Sequence, residues 1–212
     1  VAEPLITIRY DQQKLTLFER VLSGIPGAMP RAVSQGINRT LISARANMAR
    51  EVKTEVPRLT IGGIKAALKI DKATFRRWVG RILLSYHPIS LRYFTYRQTE
   101  EGVPFMVLRS RGRLMARRAF QMVKKGERGK SAFIRGLAGG GKPVLDWRTG
   151  EILSGQGKLV PRLPIFKLFG PALTDLYKDM PQIVQQVEKY ALGSLEQHIE
   201  DQVKRQLAKV PR

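Results

Sequence analysis

The chain has 212 residues, with 38 Lys and Arg against 17 Asp and Glu, a net charge of +21 and no cysteine. The missing thiols exclude disulfides, a thiolate nucleophile and a zinc–thiolate centre, and no apolar run of about eighteen residues is present to span a membrane. At 43% hydrophobic the chain can bury an ordinary core, so its charge excess points to a polyanion or an acidic surface as partner.

The first ten residues lack a basic n-region and a long apolar run, so no signal peptide is expected and the chain reads as soluble. Residues 5–10 alternate as a strand, with Leu5, Thr7 and Arg9 on one face and Ile6, Ile8 and Tyr10 on the other. Residues 12–22 switch to helical spacing before Ser23-Gly24-Ile25-Pro26-Gly27 interrupts. From Pro30 to about Glu55 the apolar residues Val33, Ile37, Leu41, Ala44, Met48 and Val52 recur every three or four positions. They form one continuous helical stripe, ended by Pro57.

Residues 58–70 read as a short helix or loop. The pattern then turns to β. Phe75–Leu84 reads as a strand, and Ile89–Gln98 with Val103–Arg109 as a hairpin about Thr99-Glu100-Glu101-Gly102. Arg117–Val123 with Ser131–Leu137 makes a second hairpin, and Val144–Arg148 with Glu151–Leu153 a third about Thr149-Gly150. Leu163–Phe169 is a last strand, followed by a short helix to Tyr177. A second long helix runs from Pro181 to about Lys209, with Ile183, Val187, Tyr190, Ala191, Leu195, Ile199, Val203 and Leu207 as its stripe. It would be on the order of 40 Å long. Within it Glu200/Lys204 and Asp201/Arg205 are spaced to pair at i,i+4. The expected architecture is one α+β domain over 1–212, a mostly antiparallel sheet of hairpins packed on one face by the two long helices.

The charge is not evenly spread. Between Arg109 and Lys142 eleven basic residues (Arg109, Arg111, Arg113, Arg117, Arg118, Lys124, Lys125, Arg128, Lys130, Arg135 and Lys142) face one acid, Glu127. Such a density is costly by self-repulsion unless a partner offsets it. These eleven are the candidate contacts to DNA or an acidic partner. A charge run is more commonly plain solvated surface. Aromatics inside the stretch are sparse (Phe120, Phe133), so base stacking on single strands is disfavoured and backbone-only contact with duplex DNA, or contact with an acidic protein, fits better.

Catalytic readings fare worse. Gly136-Leu137-Ala138-Gly139-Gly140-Gly141-Lys142 resembles the start of a phosphate-binding loop, but Pro143 replaces the hydroxyl residue that holds magnesium and a strand pattern follows. Ser85 near His87 lacks a nucleophile-elbow framework. His198, among Glu196, Glu200 and Asp201, reads as solvated helix charge. No catalytic, cofactor or metal residue is assigned, and a nuclease would need clustered carboxylates near its phosphate contacts.

Short motifs carry a further signal. Ile25-Pro26-Gly27-Ala28, then Gly36-Ile37-Asn38-Arg39-Thr40, then Met48-Ala49-Arg50-Glu51-Val52 resemble the minor tail protein Z (tail completion) family of lambda-like tailed bacteriophages. The order beyond is also similar: a basic middle, Ala132-Phe133-Ile134, a hairpin with Trp147, Pro171-Ala172-Leu173-Thr174 leading into a helix, and a basic C-terminal helix. The resemblance implies a non-enzymatic virion protein, made in the host cytoplasm and placed at the head-proximal end of the tail. It implies an oligomeric ring, with a hexamer expected, beside the tail terminator or tail tube protein and head-side neck proteins, with genomic DNA in the channel. Two other readings are a free nucleic-acid-binding architectural protein and, less favoured, a nuclease-like enzyme.

Overall fold

Helix α1 (Ala28–Glu55) follows its apolar period: in the computed structural model Val33, Ile37, Leu41, Ala44, Met48 and Val52 are all 0% exposed. The structure describes residues 4–9, 20, 22, 25–123, 130–135, 143–153 and 164–208. The helix expected at 12–22 therefore lies outside the described residues except for Arg20 and Leu22, both helical. The fold is α+β with antiparallel pairing throughout, and it resolves into two compact units.

The first unit takes residues 1–51, 64–85 and 177–212. It holds strands β1 (Pro4–Arg9), β2 (Leu68–Asp71) and β3 (Val79–Leu84) in the order β1-β3-β2. The alternation read from residues 5–10 holds: Ile6 and Ile8 are buried while Thr7 and Arg9 are exposed. Register puts Ile6 opposite Ile82, Ile8 opposite Gly80 and Leu84 opposite Leu68, so one face collects the apolar side chains. α1 packs on that face at Gly80, where an added Cβ would lie 2.4 Å from Leu41 Cδ1 and 3.0 Å from Ile37 Cγ2. The second long helix, α4 (Pro181–Leu207), packs against α1 and approaches β1. Its Ile183, Val187, Ala191, Leu195, Ile199 and Val203 are buried as expected, but Tyr190 (40%) and Leu207 (39%) are exposed. Leu207 is the last residue of the helix, and Tyr190 places its hydroxyl 2.7 Å from Ser43 Oγ on α1.

The strand expected from Phe75 begins only at Val79. Residues 74–78 form a local turn in which Arg77 N–H donates to Thr74 Oγ1 and the Trp78 indole donates to the Phe75 carbonyl. The ambiguous 58–70 stretch resolves into α2 (Ile61–Ala67) followed by β2.

The second unit takes residues 52–63 and 86–176. It contains the hairpin β4 (Gly102–Phe105) with β5 (Leu114–Arg117), the sheet β10-β7-β6 from β6 (Phe120–Met122), β7 (Ser131–Arg135) and β10 (Ile165–Lys167), and the short hairpin β8 (Val144–Leu145) with β9 (Ile152–Leu153). Helix α3 (Leu173–Lys178) crosses the sequence boundary back to the first unit. Phe94, Phe105, Leu91, Val103, Ile134 and Leu168 form its core.

Two strand expectations need correcting. Ile89–Gln98 is not a strand: Leu91–Tyr93 is a single 3-10 turn, closed by Phe94 N–H on the Leu91 carbonyl, with isolated bridges at Ser90 and Thr95 only. It still runs antiparallel to β4, through Tyr96 N–H to Pro104 and Met106 N–H to Phe94. The strand expected over Arg117–Val123 is broken by Arg118, whose φ of 61° makes a tight turn closed by Ala119 N–H on the Ala116 carbonyl. β6 pairs antiparallel with β7, and β8 with β9 about residues 149–150, as expected but with shorter strands; residues 124–129 between β6 and β7 lie outside the described residues. No described helix is long and apolar enough to cross a membrane.

Candidate functional site

Of the eleven basic candidates, Lys124, Lys125, Arg128 and Lys142 lie outside the described residues, as does the Gly136–Lys142 loop. Pro143 leads straight into strand β8 rather than a helix, so the helix N-terminus that a phosphate-binding loop requires does not follow it. The other seven all belong to the second unit and are all exposed. Arg109 and Arg111 lie in a 3-10 turn (Arg109–Arg111) between β4 and β5, Arg113 precedes β5, and Arg117 ends it. Arg118 occupies the turn into β6, Lys130 precedes β7, and Arg135 ends β7. Among the described residues Arg109, Arg113, Arg117, Arg118 and Lys130 have no carboxylate partner.

The aromatic residues that organise this charge come from outside the basic stretch. The Tyr96 ring carries two guanidiniums, Arg113 at 4.3 Å and Arg58 at 4.7 Å from its centroid. Trp147 carries two more, Arg148 at 4.7 Å and Arg111 at 5.6 Å. Arg111 and Arg113 flank Gly112, whose φ of +68° closes the 3-10 turn. The Trp147 turn is seated on β5 at Gly150 (φ +82°), where an added Cβ would lie 3.1 Å from the Met115 carbonyl oxygen. In order of contact the row comprises Arg58, Tyr96 and Arg113, then, across Gly112 along the chain, Arg111, Trp147 and Arg148. Each guanidinium–aromatic contact in such an exposed place is worth about 0.5–1 kcal/mol.

The platform under the row is tied down by hydrogen bonds and burial. Arg58 donates to the Thr95 carbonyl at 2.6 Å, and Gln121 donates to the Tyr96 carbonyl at 2.8 Å. Trp147 is only 8% exposed. Phe120 and Phe133, the aromatics inside the basic stretch, face each other across β6 and β7 with centroids 6.4 Å apart. Phe133 is buried, so this pair is packing rather than a stacking platform.

The Gly36–Thr40 segment of α1 also has a definite role, within the first unit. Gly36 lets α4 approach so closely that a Cβ there would lie 2.5 Å from Ile199 Cγ1. Asn38 clamps the Ala73 backbone from both sides, donating to its carbonyl at 3.0 Å and accepting its N–H at 2.9 Å. Arg39 meets Asp201 at 3.6 Å, an ion pair between α1 and α4 rather than the Asp201/Arg205 pair expected within the helix.

His198 corrects the reading of a solvated helix charge: its Nδ1 lies 2.9 Å from the fully buried Thr40 hydroxyl. That hydroxyl also lies 3.0 Å from the Gly36 carbonyl oxygen, to which it can donate, so Thr40 ties the imidazole on α4 to the backbone of α1. Burial first and the Arg39 charge second hold the imidazole below its ordinary pKa, and Asp201 offsets part of this. Burial likewise pushes the Tyr177 phenol far above its usual range, so it stays neutral.

Among the described residues no group of three His, Asp or Glu side chains could hold a metal ion. No family model, curated protein or solved structure matches the chain. Arg58, Tyr96, Trp147 and Arg148 were not singled out as contacts from sequence. The available signal was an aromatic directly followed by arginine, Tyr96-Arg97 and Trp147-Arg148, and only the second of these arginines stacks on its neighbour.

Proposed function

We propose that the chain is a structural, non-enzymatic virion protein that completes the head-proximal end of a phage tail. In this reading it assembles with copies of itself into an oligomeric ring, a hexamer by expectation. It meets the tail terminator or tail tube protein and head-side neck proteins, and helps join head to tail and position DNA. The observation that carries this reading is the exposed arginine row on the second unit, which is suited to a polyanion passing a fixed surface. The family resemblance over residues 25–52, 132–134, 147 and 171–174 supports it. A joint between two assemblies makes and breaks no covalent bond; it needs recognition surfaces and a stiff scaffold. The Gly36–Thr40 motif meets the second need by locking α1 to α4 and to the Ala73 backbone.

A free nucleic-acid-binding architectural protein shares the arginine row and differs in where it acts. Immunogold labelling and averaged images of particles separate the two. The proposal expects label at the head end of the tail with rotational symmetry, and particles lacking the chain should carry tails of normal length unjoined to heads. Label elsewhere, a single copy off the tail axis, or chain found only outside particles would refute it.

A further inference from the structure

We propose that the row Arg58–Tyr96–Arg113–Arg111–Trp147–Arg148 is a preorganised grip for the phosphodiester backbone of duplex DNA, binding without reading bases. It deepens the reading above and rests on it for the presence of DNA at this surface.

Three observations carry the inference. First, each aromatic face contact is made by a guanidinium, so Tyr96 and the nearly buried Trp147 are committed to holding arginines rather than offered to bases. Stacking uses the flat face of a guanidinium and directs its in-plane N–H fork, the geometry that matches phosphate oxygens. Held this way, the side chains lose less rotamer entropy when a phosphate arrives.

Second, the exposed charge beside the row is mostly of one sign. Ile61, Tyr93, Met122, Val123 and Val144 are exposed large apolar residues near it in sequence, while between residues 94 and 121 none is exposed; the centre of a protein–protein interface is apolar and depleted in charge. The same span exposes Arg97, Arg109, Arg111, Arg113, Arg117 and Arg118 against Glu100 and Glu101. A uniformly charged backbone is the polyanion that such a surface fits.

Third, Arg118 is the one described non-glycine residue at positive φ. A glycine would occupy that turn with less strain. The turn places one further exposed cation between β5 and β6, outside the row itself.

The test measures the salt dependence of binding of the full chain to a fluorescent 20-base-pair duplex. The variant replaces Arg58, Arg111, Arg113 and Arg148 with Gln. The control removes four exposed cations of the first unit, as Lys69→Gln, Lys72→Gln, Arg76→Gln and Lys189→Gln. Thermal unfolding of both confirms that they fold. Each lost phosphate contact should flatten the plot of log K against log salt by about 0.9, so the row variant should lose on the order of 3–4 in slope and the control little. AT-rich and GC-rich duplexes should bind alike.

Equal losses in variant and control would overturn the inference in favour of diffuse charge. Tighter binding to single strands than to duplex would overturn the backbone grip. Tighter binding to polyglutamate than to duplex would assign the surface to an acidic protein. The particle position of the chain is read separately by labelling, so failure of the grip and failure of the virion reading are distinguishable.

Discussion

Two glycines on the long helices should respond to the same substitution with opposite sign. In an unobstructed helix interior Gly→Ala gains about 1 kcal/mol, because alanine loses less backbone entropy. Gly193 on α4 is exposed and has nothing within 4 Å of a new Cβ, so Gly193→Ala should deliver that gain. At Gly36 the new methyl would sit 2.5 Å from Ile199 Cγ1, 3.0 Å from Ile199 Cα and 3.2 Å from its backbone nitrogen. Turning the isoleucine side chain removes the first clash and leaves the other two. α1 and α4 must then separate by several tenths of an ångström, which stretches the 2.9 Å contact between Thr40 and His198. Overpacking of this kind costs about 1–3 kcal/mol, which outweighs the propensity gain. Gly36→Ala should therefore be net destabilising by about 1–2 kcal/mol. In a chain of this size about 1 kcal/mol moves Tm by roughly 2–4 °C. Urea and thermal unfolding of the two variants beside the parent chain provide the assay. If Gly36→Ala stabilises as much as Gly193→Ala, the close helix crossing is wrong and the account of the motif on α1 falls with it.

Because the folded imidazole of His198 sits below its ordinary value of 6.5, the unfolded chain takes up its proton first as pH falls. Stability should drop as pH falls through 6.5 towards the depressed folded value and level off below it; NMR titration showing a folded value above 6.5 would contradict this. Arg118→Gly should relieve the strained φ of 61° and raise stability on the order of 0.5–1 kcal/mol, while weakening duplex binding; a stability loss in urea melts would mean that the arginine is retained for folding. Gly102→Ala should cost about 2 kcal/mol or more, since φ is +154° and the new Cβ would meet the Ala116 carbonyl oxygen at 2.3 Å; far-UV circular dichroism melts at parental stability would refute the tight β4–β5 pairing.

Much of the scaffold was legible in the residues. The stripe from Val33 to Val52, the alternation of Ile6 and Ile8, and the pairing of β6 with β7 and of β8 with β9 depend on local periodicity and turn signals, which a reader sees along the chain. Strand limits were less legible. Arg118 looked like any strand arginine, and only the turn it enters shows that β5 and β6 are separate elements. Phe75 and Trp78 are β-type residues, yet local hydrogen bonds donated by Arg77 to Thr74 and by Trp78 to Phe75 hold this segment in a turn.

The candidate site divides in the same way. Net charge and its clustering are additive properties, so the sequence alone determined that a basic surface exists and that residues 109–142 supply much of it. It also determined the helical and alternating faces that must be buried, because those follow from the bonds between neighbouring residues. Only the tertiary structure decided which aromatic holds which arginine, since Arg58, Tyr96, Arg113 and Trp147 belong to separate segments brought together by folding. It likewise decided that His198 bonds Thr40, a residue 158 positions away. Contacts of that kind depend on relative position in three dimensions, and no local spacing encodes them.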